Sequence, residues 1–120
     1  ALVVPYPDWL TQAAVGFWEA SGRKVRSVSK ALEFGSIYAI DTQAVLGAVK
    51  RLDLKGVDVI ILSGTGMPTL EPITRITAEI SIPVISSTTC SAWWLTTSIA
   101  PASIATSCAH VKQLDQWTRR

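Results

Sequence analysis

Val57-Asp58-Val59-Ile60-Ile61-Leu62 runs directly into Ser63-Gly64-Thr65-Gly66-Met67-Pro68, and that junction decides the fold. The first six residues are β-branched and nearly all apolar, as a strand covered on both faces has to be. The next six read as a tight loop. From Pro68 or Thr69 a helix opens that carries Leu70, Ile73, Ile76 or Thr77, and Ile80 on one face. Buried strand, short loop and amphipathic helix make one unit of alternating α/β structure. Upstream, Leu2–Val4 is a strand ended by Pro5 and Pro7. Asp8 is expected to cap a helix whose face is Leu10, Ala13, Ala14 and Phe17, stopped at Ser21-Gly22. Lys24–Val28 is expected as a second strand, and residues 32–40 as a loop with Gly35 and two aromatics. Asp41 then caps a helix with Val45, Ala48, Val49 and Leu52 inward. Downstream, Ile82–Ile85 is a strand, and Ser86-Ser87-Thr88-Thr89 leads into a helix with Trp93, Trp94 and Leu95. Beyond Ile99 the pattern weakens, leaving room for a last strand at Ser103–Thr106 and a short helix with Val111, Leu114 and Trp117.

Alternation of this kind gives an α/β fold: a parallel sheet flanked by helices, as in a flavodoxin-like lobe. The expected organisation is one lobe over residues 1–98 and an uncertain tail over 99–120. In such sheets ligands bind outside the carboxyl ends of the strands, where the strand order reverses. Three segments are singled out by that rule: Pro5–Asp8, Ser63–Met67 and Ser86–Thr89.

Composition narrows the function. With 120 residues there is room for one small domain, and 48% apolar against 17% charged residues excludes a disordered chain. The net charge of +2 comes from 11 basic and 9 acidic residues scattered without a run, which argues against nucleic acid. Mean hydropathy is +0.32, but no apolar stretch approaches the roughly 18–20 residues of a membrane span, and no signal peptide is visible. Cys90 and Cys108 form no CxxC pair, and His110 cannot complete a zinc site with them. No metal or cofactor is expected, and the setting reads as reducing and cytoplasmic. Ala1 stands in place of Met at the mouth of a strand, which reads as a processed chain or a fragment.

At the strand ends, the glycines of Ser63-Gly64-Thr65-Gly66 let backbone come close to a ligand, and the amides opening the next helix favour a carboxylate or phosphate. A plain strand-to-helix turn is the competing reading. There is no Gly-Lys-Ser/Thr and no third glycine, so neither a Walker loop nor a dinucleotide fingerprint is present. The hydroxyls of Ser86 and Ser87 cap the following helix, and a ligand contact is compatible with that. Tyr6, held between two prolines, could donate to an oxyanion or sit in a surface turn. Cys90 lies about one turn into its helix beside Trp93 and reads as an inert packed thiol; Cys108 and His110 have no visible partners. Trp9, Trp18, Trp93 and Trp94 lie on amphipathic helices, where an interface is as reasonable as a core.

The stretch 57–70, followed by Ile82-Pro83-Val84-Ile85-Ser86-Ser87 and Ala92-Trp93, resembles the carboxyl-terminal lobe of the aspartate/glutamate/hydantoin racemase superfamily. The branch it resembles is that of maleate cis-trans isomerase and arylmalonate decarboxylase. Ala1–Tyr6 with Asp8, and Ile40-Asp41-Thr42, match the start and middle of that lobe, so the resemblance covers about residues 1–98. It implies two similar lobes with a cleft between them, a small carboxylic acid as substrate, and chemistry by cysteine without cofactor or metal. Tyr6 then matches a carboxylate-pocket tyrosine, Ser63–Gly66 the segment bearing the second-lobe cysteine, and Ser86 and Ser87 a serine pair. Gly64 stands where relatives carry that cysteine, and Thr65 has no visible base to activate it. The chain is therefore expected to hold no catalytic residue of its own. Gly64→Cys would restore a thiol there, provided the backbone does not need positive φ.

The leading expectation is the substrate-carboxylate-binding lobe of a cofactor-independent isomerase, racemase or decarboxylase acting on maleate or an arylmalonate. Its ligand-binding residues are Tyr6, Ser63, Gly64, Thr65, Gly66, Ser86 and Ser87, and its partner is a missing first lobe or a second copy of the chain. The alternatives are a non-catalytic, oligomerising lobe and a flavodoxin-like module that binds a phosphorylated ligand.

Overall fold

Among the described residues, four three-residue strands, three of them mostly β-branched or apolar, form one parallel sheet. These are β1 (Leu2–Val4), β2 (Val28–Lys30), β3 (Ile60–Leu62) and β4 (Val84–Ser86), in the order β2-β1-β3-β4. The computed structural model describes residues 1–33 and 35–99, except the side chain of Ile99. Between and after the strands lie α1 (Asp8–Ala20), α2 (Thr42–Lys50), α3 (Leu70–Glu79) and α4 (Ser87–Ile99), with a 3-10 turn at Ile37–Ala39. The α/β class is as the sequence reads. The expected strand at 103–106, the terminal helix, Cys108 and His110 fall outside the described residues.

Alternation along the strands divides the sheet into two faces. Val3, Ile60, Leu62 and Val84 join Val45, Ala48 and Val49 of α2 and Ile73 and Ile76 of α3 in one buried cluster. Asp41 starts α2 as the sequence implies, its carboxylate accepting from the Ala44 amide at 2.8 Å. Pro72 sits in the first turn of α3, where its missing N–H costs little, and is buried. On the other face Leu2, Val4 and Ile85 are buried, but α1 contributes no buried residue. Beside α1, Leu2, Ile61 and Ile85 floor an open groove of about 470 Å³ walled by Trp18 and Val25.

Four local expectations are corrected. The second strand is Val28–Lys30, not Lys24–Val28. Val25 and Val28 are three apart, a spacing that puts them on opposite faces of a strand, and pairing begins where Val28 meets Leu2. The six-residue run 57–62 pairs as a strand only over Ile60–Leu62. Asp8 does not cap α1: Pro7 holds that position, and the Asp8 carboxylate accepts from Lys30 Nζ at 2.9 Å. The apolar face read for α1 is not core, since Ala13 is exposed and Phe17 keeps 67% of its surface.

Candidate functional site

The chain leaves β1 toward β2 on one side and returns across β1 to reach β3 on the other, so strand order reverses between β1 and β3. Their carboxyl ends carry Pro5-Tyr6 and Ser63–Gly66. The ladder runs one residue past β3, the Ser63 amide donating to the Val3 carbonyl at 2.8 Å. That bond fixes Ser63 beside the end of β1. Pro5 is buried, and the Tyr6 carbonyl accepts from the Thr11 hydroxyl at 3.2 Å, which ties Tyr6 to the first turn of α1. The Tyr6 hydroxyl then lies 3.4 Å from Ser63 Oγ, within reach of a shared proton.

Gly64 turns the chain away with φ +107°. A Cβ there would stand 2.9 Å from Pro5 Cγ and 3.1 Å from the Tyr6 hydroxyl. Absence of a side chain is therefore what lets the loop backbone lie against Pro5 and Tyr6. The condition attached to a cysteine at this position is not met: the backbone does need positive φ. At Gly66 a Cβ would fall 2.8 Å from Ile37 Cδ1, so the 37–39 turn seats directly on the loop. Met67 is buried and anchors the loop, while Thr65 is exposed between the two glycines.

Ser86 and Ser87 part company. Ser86 keeps 1% of its surface, and its hydroxyl is engaged with Thr69 Oγ1 at 3.3 Å and Thr89 Oγ1 at 3.1 Å. It accepts from the Thr89 amide at 3.2 Å, while Thr89 Oγ1 accepts from the Ser86 amide at 2.9 Å. This reciprocal cap starts α4 and braces it against the entry to α3, so Ser86 acts inside the fold and not on the open edge. Ser87, the first residue of α4, is exposed at the end of β4. Cys90 sits in that helix, half-buried, and burial pushes its thiol above the ordinary range, the opposite of what activates a nucleophile.

Tyr6, Ser63, Gly64, Thr65 and Gly66 are thus gathered at one crossing, Ser87 stands one strand further along, and Ser86 is turned inward. Two hydroxyls and glycine amides can donate to an oxyanion there. Among the described residues neither the β1 nor the β3 end bears a thiol, and no group of His, Cys, Asp and Glu could hold a metal. No described helix is long and apolar enough to cross a membrane. Sequence reasoning missed Ile37 as the residue seated on Gly66, which no periodicity signals. It also missed Thr89 as the reciprocal partner of Ser86, although the three-residue spacing of the cap was there to be read.

No family model matches the chain. Maleate isomerase of Pseudomonas putida (strain KT2440) is 31% identical over 119 residues, covering 96% of this chain and 41% of the relative. The Nocardia farcinica maleate cis-trans isomerase C194S mutant, solved with a covalently bound succinylcysteine intermediate, superposes with a TM-score of 0.74 at 30% identity. That match covers 82% of this chain and 41% of the other. Maleate isomerase Iso(C200A) of Pseudomonas putida S16, solved with maleate, gives 0.72 at 30% identity over 83% and 42%. An arylmalonate decarboxylase shares the fold, with a TM-score of 0.69 at 21% identity over 86% and 46%. The chain spans about two fifths of the length of the curated relatives it matches.

Proposed function

The chain is related to the maleate isomerase and arylmalonate decarboxylase branch of the aspartate/glutamate/hydantoin racemase superfamily, and on that premise we propose that it is a lobe that binds the carboxylate of a small dicarboxylic acid such as maleate. The observation that carries this reading is the meeting of the Tyr6 and Ser63 hydroxyls over Gly64, at the point where the strand order reverses. A carboxylate seated there accepts from Tyr6, from Ser63 and from the amides of the 64–66 loop. Thr65 and Ser87 line the approach.

Such a lobe is the electrostatic half of an active site. In a reaction passing through a succinylcysteine, a thiolate pair forms a bond to one alkene carbon, and the alkene π pair moves through the other carbon onto the carboxylate. Donors aimed at that oxygen stabilise the charge as it develops. Proton delivery to the second carbon gives the succinyl adduct. Rotation about the carbon–carbon single bond, removal of a proton from the second carbon and expulsion of the thiolate give the trans acid. The thiol comes from outside this site, from the remainder of a two-lobed enzyme.

Backbone amide shifts on titration with maleate test the proposal, with inorganic phosphate as the comparison. Shifts clustered at Tyr6 and Gly64–Gly66, reduced by Tyr6→Phe, are expected. Binding is weak because only half of a cleft is present. Shifts that arise only with phosphate, or that cluster elsewhere, overturn the proposal and favour a phosphate-binding module.

A further inference from the structure

Addition of a thiolate leaves a proton to be delivered to the second carbon, and the carboxyl edge of the sheet offers few groups that could deliver it. Among the described residues the carboxylates there are committed. Asp8 accepts from Lys30 Nζ at 2.9 Å, and Glu33 lies 3.9 Å from the same ammonium. Asp41 accepts from the Ala44 amide at 2.8 Å. Glu71 accepts from the Thr42 hydroxyl at 2.9 Å and pairs with Arg75. Cys90 is half-buried on α4, and Ser86 is closed into its own cap. The groups left at the crossing of β1 and β3 are the hydroxyls of Tyr6, Ser63 and Thr65. Of these, a phenol is the one that serves as a general acid or base.

Gly64 gives that phenol its opening. A Cβ on residue 64 would meet the Tyr6 hydroxyl at 3.1 Å, so the phenol oxygen borders the space that any side chain at this position would enter. Glycine leaves the space free between the Tyr6 oxygen and the 64–66 amides. Tyr6 is also held from several sides. Pro5 before it is buried, Pro7 after it opens α1, and its carbonyl is bound by Thr11. Ser63 Oγ stands 3.4 Å from its hydroxyl, and Ser63 is itself fixed by the bond from its amide to the Val3 carbonyl. From there the serine hydroxyl can donate to the phenolate that remains once the proton has gone.

We propose that Tyr6 is the acid and the base of this half-site: its phenol protonates the second alkene carbon after a thiolate has added, and its phenolate takes a proton back before the thiolate leaves, an assignment that rests on the carboxylate reading above. In the first step the electron pair held on the carboxylate returns to the second carbon and forms the C–H bond, while the O–H pair stays on the phenol oxygen. The carboxylate oxygen and the second carbon are attached to one carbon atom. A small swing therefore carries the phenol from one to the other while Ser63 and the loop amides keep the oxygen. After rotation the phenolate removes a proton from the second carbon, that C–H pair re-forms the alkene, and the thiolate departs with the C–S pair. Nothing is oxidised or reduced, and Tyr6 ends as it began.

Addition of 2-mercaptoethanol to maleate in the presence of the full chain, followed by proton NMR, tests this, with the small thiol standing in for the one outside the site. The rate above that without chain should reach a plateau as maleate is raised. Tyr6→Phe should lower the plateau about a hundredfold, because a general acid acts on the chemical step. Loss of a binding contact alone would instead raise the half-saturating maleate and leave the plateau where it was. Ser63→Ala should lower the plateau about tenfold, which reads the same step if Tyr6→Phe misfolds. Cys90→Ala should leave it unchanged. Amide shifts at Gly64–Gly66 on titration with maleate report the carboxylate site separately, and their absence overturns the site and the role of Tyr6 together. Shifts that are present with no rate above background, with an unchanged plateau in Tyr6→Phe or Ser63→Ala, or with a rate that Cys90→Ala abolishes, overturn the role of Tyr6 alone.

Discussion

Gly64→Ala isolates the demand that the candidate site makes on its backbone. An L-residue at φ +107° costs about 1–2 kcal/mol relative to glycine. The added Cβ would lie 2.9 Å from Pro5 Cγ and 3.1 Å from both Pro5 Cδ and the Tyr6 hydroxyl. Pro5 is buried and ring-closed, so it cannot swing aside, and relief requires moving the end of β1. Overpacking of that kind adds about 1–3 kcal/mol. The total of about 2–5 kcal/mol is a large share of the roughly 5–15 kcal/mol available to a small domain. Urea unfolding followed by circular dichroism reads it as a midpoint lower by about 1–2 M at unchanged slope. Gly16→Ala is the control: its Cβ meets nothing within 4 Å inside α1, and the change should stabilise by about 0.5–1 kcal/mol. A Gly64→Ala chain within about 0.5 kcal/mol of the parent would refute the reasoning. The same strain falls on Gly64→Cys, so grafting a cysteine here distorts the Tyr6–Ser63 pair it is meant to serve.

Ser86→Ala should cost about 1–3 kcal/mol in the same assay, because the buried Thr89 amide loses its acceptor and the buried Thr69 hydroxyl its donor. For Cys90, burial favours the neutral thiol in the folded chain, so its pKa there lies above that of the unfolded chain. The contribution is fully present below the ordinary thiol range and is lost as pH rises through the folded value. Alkylation by iodoacetamide should accordingly lag a free-thiol peptide as pH is raised, and Cys90→Ala should flatten that limb of the stability profile. The 120-residue chain should show no isomerisation of maleate by proton NMR, with and without Cys90→Ala. Turnover abolished by Cys90→Ala would move the reactive centre to α4.

Where local chemistry and tertiary context agree, the sequence was readable. Asp41 three residues before Ala44 made a cap that formed as drawn, and the run ending in Leu62 became a strand. Strand ends were less readable, because they depend on the neighbour. Val57 and Val59 are as β-branched as Ile60 and Ile61, yet the strand with its ladders to β1 and β4 spans only Ile60–Leu62. The amphipathicity of α1 was visible, but amphipathicity does not say whether an apolar stripe faces core or solvent. Alternation placed Tyr6 and Ser63–Gly66 at strand ends, and the structure brings those two ends together. Ser86 and Ser87 could not be separated by type, since a single residue along the strand turns one inward and leaves the other exposed. The positive φ of Gly64 was a possibility in the sequence and a fact only once Pro5 and Tyr6 were set against it.

The placement of β1 between β2 and β3 also governs how the chain acquires its fold. The amine of Ala1 reaches the Val59 carbonyl at 2.8 Å across 58 residues, and every ladder in the sheet is parallel, so no strand pair forms by a local hairpin. Closing such distant contacts costs chain entropy before any burial repays it, which slows folding relative to helical domains of the same size. On a ribosome adding about 5–20 residues per second, β1 emerges roughly 3–12 s before β3. During that interval the edge of β1 that β3 will cover stays open to any other nascent strand. Slower translation through residues 31–59 would lengthen that exposure and raise the fraction of chains that aggregate.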